Sequence, residues 1–237
     1  MKSALVLLAL AACTGSRTEA APLRDHVTPT IDLAPIAANT LCVTKGELTD
    51  KSVAVPTMRG FALGTGGDAA QLTFTYRGES QDSRALASGA IRRQLGLKLR
   101  AQDSCNVVYV MWRLDPRPAI DVSIKVNPGM STHEQCGANG YTKVRSRVKH
   151  YVPAYEYNTT HTLRAEIVGD ELFAWIDGRL AFQGRLPDAA RSLTGPAGLR
   201  SDNIAFDLVE LAAPKQAPSD AAAPAHAPAC KRDGGAE

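Results

Sequence analysis

Between about Thr40 and Leu211, apolar side chains recur at every second position. Gln71–Arg77 places Leu72, Phe74 and Tyr76 on one face, and Gln94–Arg100 places Leu95, Leu97 and Leu99 on one face. A period of two is the spacing of strands with one buried side. Gly and Pro interrupt the runs. No long stretch has helical spacing, and Ser83–Ala90 is the one segment expected to form a helical turn. Many short strands separated by turn residues predict an all-β fold, a sandwich or a barrel.

Two hairpins follow from the pattern. In the first, Asn106–Leu114 turns through Asp115–Ala119 and returns along Ile120–Val126. Setting Leu114 opposite Ile120 pairs Trp112 with Val122, Val110 with Ile124 and Val108 with Val126. The other face then pairs Arg113 with Asp121, Met111 with Ser123 and Tyr109 with Lys125, so one face is apolar and the other mostly polar. The second hairpin turns at Gly169-Asp170, with Gly first as a type II′ turn prefers. Ile167 meets Leu172, Ala165 meets Ala174 and Leu163 meets Ile176, while Glu166 meets Phe173 and Arg164 meets Trp175. Asp177-Gly178 is a second tight turn, and Arg179–Gln183 is a third strand that sets Leu180 and Phe182 beside Trp175 and Phe173. Both faces are partly apolar, so the pattern leaves open which one is the core.

The two ends differ from this middle. Met1-Lys2-Ser3 is a short positive start, and Ala4–Ala12 is an apolar run too short to span a bilayer but suited to an export signal. Leu10-Ala11-Ala12-Cys13 resembles the lipobox of bacterial lipoproteins. The resemblance implies a signal peptide over 1–12, acylation at Cys13, and a protein held in the cell envelope, at the outer membrane or cell surface. Residues 13–39 and 213–237 are rich in Ala, Pro and Thr or Ser, and are expected to be a tether and a disordered tail around a domain over 40–212. The net charge of +3 comes from 27 basic and 24 acidic residues scattered along the chain, which argues against nucleic acid as a partner.

Thr162–Gly184, with its Gly-Asp turn and the Trp-Ile-Asp-Gly turn after the next strand, resembles the central hairpin of concanavalin A-like (laminin-G-like) jelly rolls. Gly195-Pro-Ala-Gly-Leu-Arg-Ser-Asp-Asn203 followed by Ile204–Leu211 is similar to their closing strands. The resemblance implies a two-sheet antiparallel jelly-roll sandwich of a kind used for carbohydrate or protein binding and sometimes for glycoside hydrolysis. Fold alone does not choose among these.

Four cysteines remain after Cys13. The first hairpin brings Cys105 near the loop that carries Cys136, and a bridge between them would contribute roughly 3–4 kcal/mol. Cys42 and Cys230 form a second candidate pair. A zinc site at His133 and Cys136 lacks a second ligand pair nearby. Catalysis is poorly served. Glu166, Asp170 and Glu171 are the nearest approach to a glycosidase acid pair, but Gly169-Asp170 reads as a turn, so the acids would not line one face. The five histidines accompany no nucleophile elbow. Arg200–Asn203 reads as polar turn chemistry rather than as a calcium loop. No catalytic residue, metal or cofactor is therefore assigned.

Sugar binding needs an aromatic platform flanked by hydrogen-bonding side chains. Trp175 with Arg164 and Glu166 is one candidate, and Tyr109 with Arg113, Asp121 and Lys125 is the other. Aromatics mostly fill interiors, so Trp175 with Phe173 and Phe182 also reads as core. The expected function is a lipid-anchored, non-catalytic binding module for a glycan or an envelope protein. The alternatives are a glycoside hydrolase or lyase of the same fold, and a structural envelope protein.

Overall fold

The computed structural model describes residues 27–37, 40–148, 151–216 and Cys230. The period-two segments form strands in two antiparallel sheets. The first sheet runs β1 (Ala34–Pro35), β14 (Ile204–Ala213), β5 (Ala69–Glu79), β10 (Thr160–Val168), β11 (Glu171–Ile176) and β12 (Arg179–Arg185), with β3 (Ser52–Val53) also on β14. The second runs β2 (Leu41–Lys45), β4 (Thr57–Ala62), β13 (Gly198–Asp202), β6 (Arg93–Leu99), β7 (Val107–Asp115), β8 (Ala119–Lys125) and β9 (Tyr141–Val144). Among the described residues the one α-helix is α1, His133–Cys136. The fold is the jelly-roll sandwich that the resemblance implies, and of the two classes the alternation allows it is the sandwich.

One hydrophobic cluster fills the space between the sheets. Leu72, Phe74 and Tyr76 meet Leu95, Leu97 and Leu99, Val108, Val110 and Trp112, and Leu163, Ala165 and Ile167. Interdigitation of two inner faces is what aligned sheet packing demands. At its centre Tyr155 lies edge-on to Trp112 at 4.6 Å and to Phe74 at 5.4 Å. The polar tips of this cluster find carbonyls: Trp112 Nε1 donates to Pro153 O at 3.0 Å, and the Tyr155 hydroxyl donates to Trp112 O. Burial pushes the Tyr155 hydroxyl well above the usual phenol range.

The second hairpin forms in the expected register, with Leu163 opposite Ile176, Arg164 opposite Trp175 and Glu166 opposite Phe173. Gly169 takes φ 62° at its turn, and Asp177 and Gly178 take 47° and 78° at the next. A bulge after Ala174 sets Leu180 opposite Trp175 but puts Phe182 opposite Ala174, not Phe173. Leu163, Ala165 and Ile167 face the core, which turns Arg164, Glu166, Phe173 and Trp175 outward.

Four expectations need correction. In the first hairpin Trp112 pairs with Ile120, Val110 with Val122 and Val108 with Ile124, a slip of two residues. Each side chain keeps its face under such a slip, so alternation cannot detect it, and the turn containing Pro116 and Pro118 decides. Ser83–Ala90 forms irregular turns rather than a helical one. Arg200–Asp202 lies on β13, and only Asn203, at φ 54°, sits at the turn.

The fourth concerns the ends. Residues 27–37, expected within a tether, pack on the first sheet and add Ala34–Pro35 to its edge. In the expected tail, β14 runs to Ala213, Lys215 bridges to Thr65, and Cys230 bonds Cys42. The second disulfide joins Cys105 to Cys136, so Cys136 offers no thiolate to a metal. Cys13, the 1–12 segment, His26, His150 and His226 lie outside the described residues. Among the described residues no helix is long and apolar enough to cross a membrane.

Candidate functional site

The two sugar-binding candidates lie on opposite outer faces of the sandwich. Trp175, Arg164 and Glu166 lie on the outer face of the first sheet, and the chain itself covers them. Trp175 Nε1 donates to Val27 O at 2.8 Å. The Glu166 carboxylate accepts from Thr30 N at 2.9 Å and Ile31 N at 3.2 Å, and Arg164 Nη2 donates to Ile31 O at 2.5 Å. Trp175 is 2% exposed and Glu166 1%. This corrects the expectation that Trp175 offers a platform to a ligand. It also differs from the core reading, since Trp175 is buried by residues 27–31 and not between the sheets.

Tyr109 and Arg113 are on the outer face of the second sheet, where rows of side chains run across five or more strands. One row is Arg59, Arg200, Gly96, Met111 and Asp121, on β4, β13, β6, β7 and β8. Gly96 is required there, because an added Cβ would come within 2.2 Å of Val110 O and 2.9 Å of Met111 Sδ. The row on one side holds Asp202, Gln94 and Arg113, and the row on the other holds Lys98, Tyr109, Ser123 and Lys143.

Two walls turn this face into a cavity of about 340 Å³. One is the Arg84–Ser88 loop, which Asn203 ties down: its Oδ1 accepts from Arg84 N at 2.6 Å, and its Nδ2 donates to Arg84 O and Arg92 O. The other is His133, Gly137 and Ala138, at α1 and just beyond it, a segment anchored by the Cys105–Cys136 bond. Lys125 Nζ also donates to Gly137 O at 2.7 Å.

Asp202 organises one end of the cavity. Its carboxylate meets Arg59 Nη2 at 2.6 Å, Arg200 Nε at 3.0 Å and Gln94 Nε2 at 2.6 Å. Burial by itself would raise this carboxyl, but Arg200 and Arg59 outweigh it and hold the group well below the usual carboxylate range. Gln94 is 4% exposed, and its Oε1 has no donor among the described residues. Asp121 organises the other end, meeting Arg113 Nε at 2.7 Å and Arg92 Nη1 at 3.5 Å.

The Tyr109 ring is 3% exposed, with the Arg200 guanidinium 5.0 Å over it and Tyr141 stacked 6.1 Å away. Tyr141, at 44% exposure, is the ring that the cavity presents to solvent. Sequence reasoning missed Tyr141, Arg59 and Gln94 as site residues. Arg59 and Gln94 sit at outward positions of period-two strands, which was the available signal.

Glu166, Asp170 and Glu171 do not form an acid pair. Glu166 lies under the N-terminal segment, Asp170 pairs with Arg191 at 2.5 Å in the turn, and Glu171 pairs with Arg147.

No protein-family profile and no curated protein sequence matches the chain. Solved structures do. The carbohydrate binding module CBM66 from Bacillus subtilis superposes with a TM-score of 0.50 at 14% identity, over 71% of this chain and 91% of that one. A tetrameric galectin from the sponge Cinachyrella sp. gives 0.42 at 14%, over 67% and 99%. Domain 4 of the arabinanase AbnA from Geobacillus stearothermophilus, in complex with arabinotriose, gives 0.39 at 10%, over 79% and 84%. At these identities the likeness shows the fold alone.

Proposed function

We propose that this protein is a non-catalytic glycan-binding module, exported and held at a membrane surface by lipid on Cys13, with its ligand site in the cavity on the second sheet. The observation that carries the reading is the cavity's combination of an exposed ring, Tyr141, with fixed polar groups at Asp202, Gln94 and Asp121. A sugar ring stacks its C–H face on an aromatic and gives its hydroxyls to oriented donors and acceptors. Likeness to a carbohydrate binding module supports the reading at the level of fold.

Asp202 does not suit the role of a glycosidase's proton donor. A glycosidase acid must keep its proton near neutral pH, which takes a raised pKa. Asp202 is held the opposite way by two arginines.

A glycan array probed with the purified protein and with Tyr141→Ala tests the site. The variant is expected to keep its fold and lose about tenfold in affinity, the worth of one aromatic stacking contact. Unchanged binding by Tyr141→Ala, or an array with no hits from folded protein, would overturn the reading. The anchor has its own test. Cys13→Ser is expected to abolish incorporation of labelled palmitate and to move the protein from the membrane to the soluble fraction; a label that persists would refute it.

A further inference from the structure

We infer that Asn139 is a site of spontaneous self-modification, converting to a mixture of isoaspartate and aspartate in the wall of the second-sheet cavity. The inference does not rest on the ligand reading. Asn139 precedes Gly140 in the exposed turn that joins α1 to β9. Ala138 and Tyr141, on either side of this pair, line the cavity.

The step balances with water as the only co-reactant. Gly140 N, having given its proton to solvent base, attacks Asn139 Cγ. The new N–C bond closes a succinimide ring, the Cγ–Nδ2 bond breaks, and the amide nitrogen leaves as ammonia. Water then opens the ring. Opening at Cγ restores the ordinary main chain with aspartate in place of asparagine. Opening at the Asn139 main-chain carbonyl leaves the chain running through Cγ, which is isoaspartate.

The fold leaves both reacting groups free while it fixes the carbonyls around them. Asn139 N donates to Cys136 O at 2.9 Å, and Asn139 O accepts from Asn127 Nδ2 at 3.1 Å. Gly140 O accepts from Val126 N at 3.2 Å. Among the described residues, neither the Asn139 side-chain amide nor Gly140 N has a hydrogen-bond partner. Gly140 also has no Cβ to shield its nitrogen. Its φ is 78°, and a Cβ there would come within 2.4 Å of Asn127 Nδ2, so the turn itself demands glycine.

The other described asparagines lack this freedom. Asn127 precedes Pro128, whose nitrogen carries no hydrogen to lose. Asn106 Nδ2 donates to Met130 O at 2.7 Å, and Asn203 Nδ2 donates to Arg84 O and Arg92 O. Asn158 Oδ1 accepts from Arg77, and the β-branched Thr159 follows it. Asp177-Gly178 is the acid counterpart of the pair, and both its carboxylate oxygens are engaged, by Thr162 N at 2.7 Å and His161 Nδ1 at 2.9 Å.

The test incubates the full folded chain at neutral pH, below its unfolding midpoint, beside a synthetic peptide of residues 137–143. Digestion and mass spectrometry then read conversion at each asparagine. With no hydrogen bond to break first, Asn139 in the folded chain is expected to convert within about tenfold of the peptide's rate, since one such bond is worth about tenfold. It should also outpace every other described asparagine by about tenfold or more, for the same reason. The attacking nitrogen is the deprotonated one, so the rate should climb with pH. A folded chain slower than that limit would overturn the inference, because the turn would then hold the two groups apart. Conversion at Asn158 or Asn203 as fast as at Asn139 would overturn the fold as the origin of the selectivity.

Isoaspartate lengthens the main chain by one methylene just before Tyr141, which pairs with Lys125 at the start of β9. Hydrogen exchange over Tyr141–Val144 is therefore expected to rise in the aged protein. An equally aged Asn139→Gln variant, whose longer side chain closes the ring far less readily, should keep its protection. Equal exchange in the two would overturn the reach of the modification into the cavity wall.

Discussion

Asp202→Ala is expected to destabilise the protein by about 3–5 kcal/mol, because it strips the counter-ion from two guanidiniums out of water. Arg59 Nη2 lies 2.6 Å from the carboxylate and Arg200 Nε 3.0 Å, with side-chain exposures of 4% and 12%. Arg59 also donates to Met58 O and Ser201 O. In a domain of this size the loss corresponds to a fall in Tm of roughly 10 °C. Asp207→Ala is the control. It removes the partner of Arg77 on a half-exposed surface pair, so about 0–1 kcal/mol is expected. Thermal unfolding followed by circular dichroism separates the two, and an Asp202→Ala midpoint as high as that of Asp207→Ala would refute the account.

The same carboxyl sets a direction with pH. Its folded pKa is depressed, so its stabilisation is present above the unfolded value of about 3.9 and is lost as pH falls below it. The parent protein should therefore lose stability more steeply than Asp202→Asn between roughly pH 4.5 and pH 2. Parallel curves would show that Asp202 is not held as the structure implies.

How far the residues foretell this arrangement depends on what local chemistry specifies. The second hairpin was legible to the residue because Gly169, Asp177 and Gly178 dictate its turns. The first was legible in its faces but not in its register, since a slip of two leaves Val108, Val110 and Trp112 inward either way. Tyr109 and Arg113 stood out as neighbours on a polar face. The partners that make this face a site did not, because Asp202 reaches Arg59 across 143 residues and Gln94 across 108. Their row exists only through the strand order β4-β13-β6-β7-β8, which pairs strands far apart in the chain. The cover over Trp175 was illegible for another reason. Residues 27–33 have no periodicity, and most of their polar contacts come from backbone N–H and C=O groups that every sequence carries.

Trp175→Ala is the second large loss expected, about 3–5 kcal/mol, with no loss of ligand affinity. The indole packs against Phe173 at 6.0 Å, is 2% exposed, and holds Val27 O through its Nε1. Truncation opens a void under residues 27–31 and removes one of the bonds that keep them in place. Glu166 and Arg164 would still hold Thr30 and Ile31, so the segment should loosen from its Val27 end rather than detach. Hydrogen exchange is expected to rise over residues 27–33, while the second sheet stays protected. The contrast with Tyr141→Ala carries the argument. If the cavity on the second sheet is the ligand site, Tyr141→Ala loses affinity at nearly full stability, and Trp175→Ala loses stability at full affinity. The reverse pattern would move the ligand to the first sheet and make residues 27–33 a strap that a ligand must displace.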